Sequence, residues 1–501
     1  MFKQKNQLYL SVFIFFWALF ALTNNGIDLS EGRYHYLLAE QIIKYGRLDF
    51  DSVPPDSVFT LAPNGKYYAS HEIGNTLFLL PTTAINIFIE KVLSLFTTKG
   101  ITRIKDFIVS FQAGFYSAVC ATTFFAILQT RFFLPIASCF LATLCLVFTT
   151  FFWTYSRNLF DGVLCSTLLT LSIFFLFNFR LNKNNLFLVS AFIFLGFGFI
   201  TRLSIIIAIF LSLIYVITIR GTFLLKFKRV GIATLTLIPF IIWQFWYNQI
   251  RTGVFYLSPV QTPQYVINNG LDGNLLVGVL GYLLSPGKSI FVYAPLLLLS
   301  LILFHRFYKS YRYEAIYILS IFILWLLLHG KMRSWYGAWG WGPRYFIIIL
   351  PILFIPFASH IDLIIKKVFF RLIAIVLGTF GFALAISSMM SNWLVRIDYA
   401  IQNKTFDDRE FVWGFWNSQS VDMLRAGLEN LMRIITNSPV PEKAKIYPGQ
   451  IEYVSNTINI WLNYNGTKLP LIIRALPLIF LCFLMYIALR NIFRYEYAKS
   501  G

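Results

Sequence analysis

Apolar residues along this chain gather in long unbroken blocks, near residues 8–24, 106–129, 132–150, 160–179, 186–201, 203–219, 230–247, 289–305, 314–329, 345–360, 368–390 and 470–489. A helix rising about 1.5 Å per residue needs about 20 such residues to cross about 30 Å of hydrocarbon. Backbone polar groups left unpaired in lipid are costly, so the blocks are read as helices. The pattern therefore predicts an all-α polytopic membrane protein of about 12 transmembrane helices. The first block follows Lys3 and Lys5 and runs into Thr23-Asn24-Asn25, which offers no small-residue cleavage pattern. It is read as a retained signal anchor.

The polar segments between blocks assign the sides. Basic residues cluster at Lys3 and Lys5; Arg131; Arg180 and Lys183; Arg220, Lys226, Lys228 and Arg229; Arg306, Lys309 and Arg312; Lys366, Lys367 and Arg371; and Arg490, Arg494 and Lys499. Such clusters are retained in the cytoplasm. All fall on one side only if residues 79–97, with Glu90 and Lys91 in their middle, lie along the interface without crossing; Lys99, Arg103 and Lys105 locally favour a crossing. Both termini are then cytoplasmic, and segments 25–105, 248–288, 330–344 and 391–469 lie outside. The chain divides into a transmembrane domain over 1–390 with a first outer loop at 25–105, a small extramembrane segment at 391–469, and a last helix with its tail at 470–501. Function concentrates in loops carried by a rigid scaffold, so chemistry is expected on the extracytoplasmic face.

Composition sharpens this picture. Residues are 57% hydrophobic and 13% charged, against about 25% charged in a soluble domain, which excludes a soluble fold. The net charge of +20 sits largely in short loops between spans, where anionic lipid headgroups are the natural partner and nucleic acid is not. Cys120, Cys139, Cys145, Cys165 and Cys482 all lie inside apolar blocks without paired spacing, as small core residues do.

Four groups of residues carry candidate chemistry. Asp28 and Glu31 stand just past the outer end of the first span, ahead of Arg33, Tyr34 and a helical pattern of Leu37, Leu38, Ile42 and Ile43 that ends at Gly46. They read either as a helix cap with its dipole partner or as a general base whose pKa is raised at the membrane surface. His71-Glu72 is a polar pair at a helix start. As metal ligands the two are an incomplete set, so a divalent cation is the one cofactor the pattern leaves open. Asp161 opens the fourth span, as an N-cap or as a second functional acid.

The fourth group is Lys331-Met-Arg333-Ser-Trp335-Tyr336-Gly-Ala-Trp339-Gly-Trp341-Gly-Pro343-Arg344-Tyr345. Fixed cations beside aromatic faces suit a phosphate-linked sugar; an interfacial aromatic belt is the plain alternative. Arg202, in a tight outer turn, is a candidate to join it. Ser285-Pro-Gly287-Lys288-Ser289 is not a phosphate loop, because its leading Gly281 stands one residue too far away. Lys288 is instead a further candidate for a lipid phosphate.

Ser-Glu31-Gly-Arg33-Tyr34 with Ala39-Glu40 and Tyr45-Gly46-Arg47-Leu48 resembles the first-loop motif of the GT-C superfamily of membrane glycosyltransferases, as in the protein O-mannosyltransferases and lipid A aminoarabinose transferases. Gly65-Lys66-Tyr67-Tyr68 through His71-Glu72-Ile-Gly74 resembles the second stretch of the same loop, ahead of a helix along the membrane surface, and Asp161 resembles the second acidic position. The resemblance implies a GT-C-like fold and transfer of a sugar from a polyprenyl-phosphate donor to a lipid, glycan or protein acceptor, with inversion. It implies an acidic base just before Arg-Tyr. Ser30 replaces the first member of the usual acidic pair, so the base falls between Glu31, which is favoured, and Asp28. Arg33, Tyr34, His71, Glu72, Asp161, Arg202, Lys288, Lys331, Arg333, Trp339 and Arg344 are the expected substrate contacts. The rival reading, a transporter or lipid-linked-glycan flippase, calls for mid-bilayer charges and duplicated halves with broken helices, which the chain does not clearly show.

Overall fold

The computed structural model describes residues 2–25, 31–54, 59–95, 101–259, 270–402, 406–436 and 471–500. Its helices are α1 (Phe2–Leu22), α2 (Glu31–Tyr45), α3 (Gly74–Ser94), α4 (Ile101–Arg131), α5 (Ile136–Phe148), α6 (Phe152–Tyr155), α7 (Asp161–Asn182), α8 (Asn185–Phe199), α9 (Ile206–Ile217), α10 (Phe223–Thr252), α11 (Leu275–Leu284), α12 (Ile290–Tyr293), α13 (Leu297–Ser310) and α14 (Arg312–Gly330). They continue, after a stretch of short turns, with α15 (Val368–Met390), α16 (Trp393–Gln402), α17 (Asp408–Trp413), α18 (Gln419–Thr436) and α19 (Leu471–Ser500). Among the described residues, eight helices are long and apolar enough to cross a membrane: α1, α3, α4, α7, α10, α14, α15 and α19. Shorter apolar helices include α5, α8 and α11. This is an all-α polytopic membrane protein.

Two expected spans are not single helices. The block at 289–305 breaks into α12 and α13 around Ala294-Pro295. The block at 345–360 becomes a 3-10 turn at Arg344–Ile348 followed by four-residue helical turns at Leu350–Leu353 and Ile355–Ala358, each restarted by a proline, Pro351 and Pro356. A proline lacks the N–H that a helix interior needs, and it fits at the first turn where that donor is idle. These turns are buried almost completely, so protein rather than lipid surrounds the irregular backbone.

The bundle has two distinct ends. At one, Arg131 closes α4 and Arg180 stands in the last turn of α7, and both reach the buried Glu314 at the start of α14, at 2.8 and 3.7 Å. Tyr215 donates to the same carboxylate at 2.8 Å. Three of the expected cytoplasmic clusters therefore meet. The other end begins at Asp161, and the 22 residues of α7 separate the two by about 33 Å.

Helix α3 packs at the Asp161 end from Gly74 to Asn86. Gly74 donates its N–H to Ile200 at 2.7 Å, Phe78 packs on Tyr116 and Phe197, Thr82 hydrogen-bonds Gln112, and Asn86 donates to Tyr36 at 3.1 Å. The six residues joining Ser94 to Ile101 reach about 20 Å when extended, and α4 needs about 46 Å to arrive at Arg131.

Between α2 and α3 stands a feature absent from the sequence expectation, a three-stranded antiparallel sheet in the order β1 (Asp49–Phe50), β3 (Tyr67–Ala69), β2 (Phe59–Leu61). Phe59 pairs with Ala69 and Asp49 with Tyr68. Arg47 donates to Asp49 at 2.6 Å and to Asp51 at 3.0 Å. These bonds hold both carboxyls below their usual range.

Candidate active site

The start of α2 is seated by its second residue. A Cβ on Gly32 would lie 2.7 Å from the Leu159 side chain and 2.8 Å from its carbonyl oxygen, so only glycine lets the first turn rest on that backbone. Asn75 donates to the same Leu159 carbonyl at 3.4 Å, and Gly74 packs on Thr201, where a Cβ would clash at 2.0 Å. The helix ends as the sequence predicts, with Gly46 at φ +67° and its N–H on Ile42 at 2.9 Å. Residues 31–34, 71–75, 158–161 and 200–202 are thereby gathered at one place.

Glu31 is the first residue of α2, and its side chain lies outside the described residues, as does the whole of Asp28. Arg33 and Tyr34 are half-buried on the same turn. The Tyr34 ring stacks on His71 at 6.0 Å and 13°, and His71 in turn meets His35 at 6.0 Å. His35, buried, pairs through Nδ1 with the Thr76 hydroxyl at 3.1 Å.

Asp161 is buried at the first turn of α7, but the N-cap position belongs to Phe160 and carries no side-chain cap. The capping reading gives way to an ion pair, in which Arg202 Nη1 donates to Asp161 at 2.7 Å. The Arg202 guanidinium also faces the ring of Tyr345 at 5.1 Å. Arg344 faces that ring at 4.9 Å and donates Nη2 to its hydroxyl at 3.1 Å. His329 stacks on it at 5.1 Å and 29°. Tyr345 is thus the common platform of two guanidinium groups, a geometry worth about 0.5–2 kcal/mol per cation–π contact.

Glycines make room for Arg344. A Cβ on Gly340 would stand 2.5 Å from Arg344 Cδ, and one on Gly337, at φ +72°, 2.8 Å from Cγ. The loop is pinned from behind. Lys288 donates to the carbonyls of Gly340 at 2.7 Å and Ala338 at 3.2 Å, and to Gln419 at 3.1 Å, while Gly342 donates its N–H to Gln419 at 2.9 Å.

Several expected substrate contacts have other work. Lys288 is fully buried with its ammonium committed to that loop, and burial, with Arg344 nearby, pushes its pKa well below the usual lysine range. A lysine so enclosed acts as a strut for the loop. Glu72 is buried too, accepting from Gln244 at 2.6 Å, Arg251 at 2.9 Å and Ser258 at 2.5 Å. Both of its oxygens are engaged by these protein donors. Arg333, exposed, pairs with Asp272, Nε to Oδ1 at 3.1 Å. Lys331 is exposed, and Trp339 is exposed with its carbonyl accepting from Trp393 at 3.1 Å. Among the described residues no group of three or more His, Cys, Asp or Glu stands together as a cation site.

Sequence reasoning passed over Tyr345 as a site residue, although it follows Arg344 in the motif, and over Arg251 and Gln419. Arg251 carried one usable signal, a charge at the end of an apolar helix.

No protein-family profile matches the chain, and no curated protein matches it. Among solved structures, ArnT from Cupriavidus metallidurans bound to undecaprenyl phosphate is similar with a TM-score of 0.52 at 12% identity, over 86% of this chain and 71% of that one. The apo state of ArnT gives a TM-score of 0.48 at 11% identity, over 86% and 70%. The likeness to the lipid-bound structure is one of fold, and the chain has a GT-C-like fold.

Proposed function

We propose that the chain is a membrane glycosyltransferase that moves a sugar from a polyprenyl-phosphate-linked donor to a lipid, glycan or protein acceptor on the extracytoplasmic face, with inversion. One observation carries the reading: Arg202 and Arg344, from distant parts of the chain, face the single ring of Tyr345 beside Asp161. This happens at the end of the bundle opposite the Arg131–Arg180–Glu314 cluster. Guanidinium forks match phosphate geometry and stay charged, so the pair suits the donor's phosphate before and after the sugar leaves. The fold is shared with an ArnT structure that holds undecaprenyl phosphate.

In this reading Asp161 orients Arg202, and Arg202 with Arg344 stabilises the charge that grows on the departing phosphate. Glu31, or Asp28, takes the proton from the acceptor as its oxygen or nitrogen bonds to the anomeric carbon and the bond to phosphate oxygen breaks. The start of α2 rests on Leu159, two residues before Asp161, which brings Glu31 to this place. Helix α3 lies along the outer interface, both termini are cytoplasmic, and α16 to α18 belong to the outer side. The test is retention of undecaprenyl phosphate by the purified protein in nanodiscs. Loss in the folded double variant Arg202→Ala/Arg344→Ala is expected, and equal retention by that variant and the parent overturns the site.

A further inference from the structure

Helix α18 presents three faces. Met423, Ala426 and Asn430 are buried, and this side packs on the last turns of α15: a Cβ on Gly427 would stand 3.1 Å from Ser387 Cβ, and Asn430 donates to the Met390 carbonyl at 2.5 Å. Asp422, Arg425 and Glu429 form a polar flank, with Asp422 accepting from Arg396 at 2.7 and 3.0 Å. On the remaining face Leu428, Leu431, Met432 and Ile435 are exposed at 63%, 44%, 59% and 69%. Their spacing of three, four and seven residues keeps them on one stripe.

A soluble surface does not leave such a stripe in water, and its surroundings say what covers it. The helix is fastened to the end of α15, one of the helices long and apolar enough to span, whose own Leu372, Ile375, Val376 and Phe380 are exposed. Phe415 and Trp416, a ring pair at 5.0 Å, are exposed just before α18 begins. Aromatic side chains of this kind settle at the headgroup level. A helix with one side on protein, one apolar side open and one charged side is the arrangement of an element lying in the plane of a membrane surface.

We infer that α18 is an interfacial helix whose Leu428–Ile435 stripe is seated in the bilayer leaflet at the Asp161 end of the bundle, with lipid acyl chains as its partner. The assignment stands independently of the transfer reaction. It has a structural consequence, because Gln419 at the start of the same helix accepts from Gly342, in the loop that carries Arg344, and from Lys288, which pins that loop. The lipid surface thereby fixes one wall of the candidate site.

Single cysteines at Leu428, Ile435 and Glu429, in a parent carrying Cys482→Ser because Cys482 is exposed, test it. Each variant, labelled with bimane, goes into phosphatidylethanolamine–phosphatidylglycerol vesicles with and without nitroxide-bearing acyl chains. Fluorescence at positions 428 and 435 is expected to fall with the nitroxide lipid while 429 stays bright, and in separate unlabelled samples the cysteine at 429 reacts with a membrane-impermeant maleimide while those at 428 and 435 are protected. Reaction of 428 and 435 with that maleimide at the rate seen for 429 overturns the inference. Protection without quenching overturns it equally, and identifies a protein, or a second copy of the chain, as the occupant.

Discussion

Arg202 and Asp161, 41 residues apart in the chain, form an ion pair at 2.7 Å at the N-terminal end of α7, with the Arg202 guanidinium also facing Tyr345. The acid is the smaller player. Buried beside one arginine, it fixes a cation that a second arginine, Arg344, faces across the same ring.

The glycine cradle makes this testable without touching a charge. Gly340→Ala places a methyl 2.5 Å from Arg344 Cδ, so the Arg344 side chain must shift. A charge-assisted hydrogen bond lost to phosphate weakens donor binding about tenfold to hundredfold. The same loss is expected for Arg344→Ala, with protein level near that of the parent. Unchanged donor affinity in both variants removes Arg344 from the site.

Arg251 makes a prediction about stability. It is fully buried and donates to Glu72, Asn248 and the carbonyls of Ala69, Ser70 and His71. Removing one partner of a buried pair strands the other charge and costs about 3–5 kcal/mol. Arg251→Ala should lower the melting temperature of the solubilised protein sharply, and Arg251→Met with Glu72→Gln should recover part of the loss. A melting temperature unchanged in Arg251→Ala contradicts the network.

How much of this was legible in the sequence follows from which forces act locally. Helices α7, α14 and α15 follow from apolar length alone, and Gly46 marks the end of α2 by its own backbone freedom. The breaks at Pro295, Pro351 and Pro356 were legible too, yet apolar content outweighed the prolines in reading 289–305 and 345–360 as spans. The sheet at 49–69 was missed because its strands are two and three residues long, too short for a period of two to register. Lys288 looked like a surface cation because nothing in its own loop announces that Gln419, 131 residues away, closes over it. Charge at a loop is readable from sequence; its burial depends on partners that only the fold supplies.

Acid should loosen the first-loop sheet. Arg47 holds the carboxyls of Asp49 and Asp51 below their usual range, and Lys66 adds to this at Asp51. A carboxyl depressed in the folded state contributes stability that is present above its unfolded value of about 3.9 and lost as the pH falls through the folded value. Amide protection at Tyr67–Ala69, corrected for intrinsic exchange, is expected to hold at neutral pH and decline as the pH drops below about 4. Arg47→Gln should flatten that dependence. A decline of the same size in Arg47→Gln assigns it to other groups.

The sidedness proposed for the chain turns on α3 staying at one end. Ile101→Cys, at the start of α4, should then react with an impermeant maleimide added outside, and Asn182→Cys, at the end of α7 beside Arg180, should react only after the membrane is opened. The reverse pattern inverts the orientation and moves the Asp161–Arg202 pair to the cytoplasm.

Glu31 stands where the proposed reaction is most exposed to test. It opens α2 one residue before Gly32, whose seat on Leu159 fixes that turn against the segment leading to Asp161. Glu31→Gln keeps size and hydrogen bonding while removing the oxygen that accepts a proton. Loss of a general base costs about 10²-fold to 10⁴-fold in rate, whereas loss of a helix-cap contact costs about 1 kcal/mol in stability. The expected outcome is a folded Glu31→Gln protein that still binds undecaprenyl phosphate and no longer transfers sugar. Asp28→Asn is its companion, because the first-loop motif leaves the base between the two acids. If Asp28→Asn alone is inactive the base is Asp28, and full activity in both single variants and in the double variant, with the matching lipid-linked donor, would end the proposed mechanism.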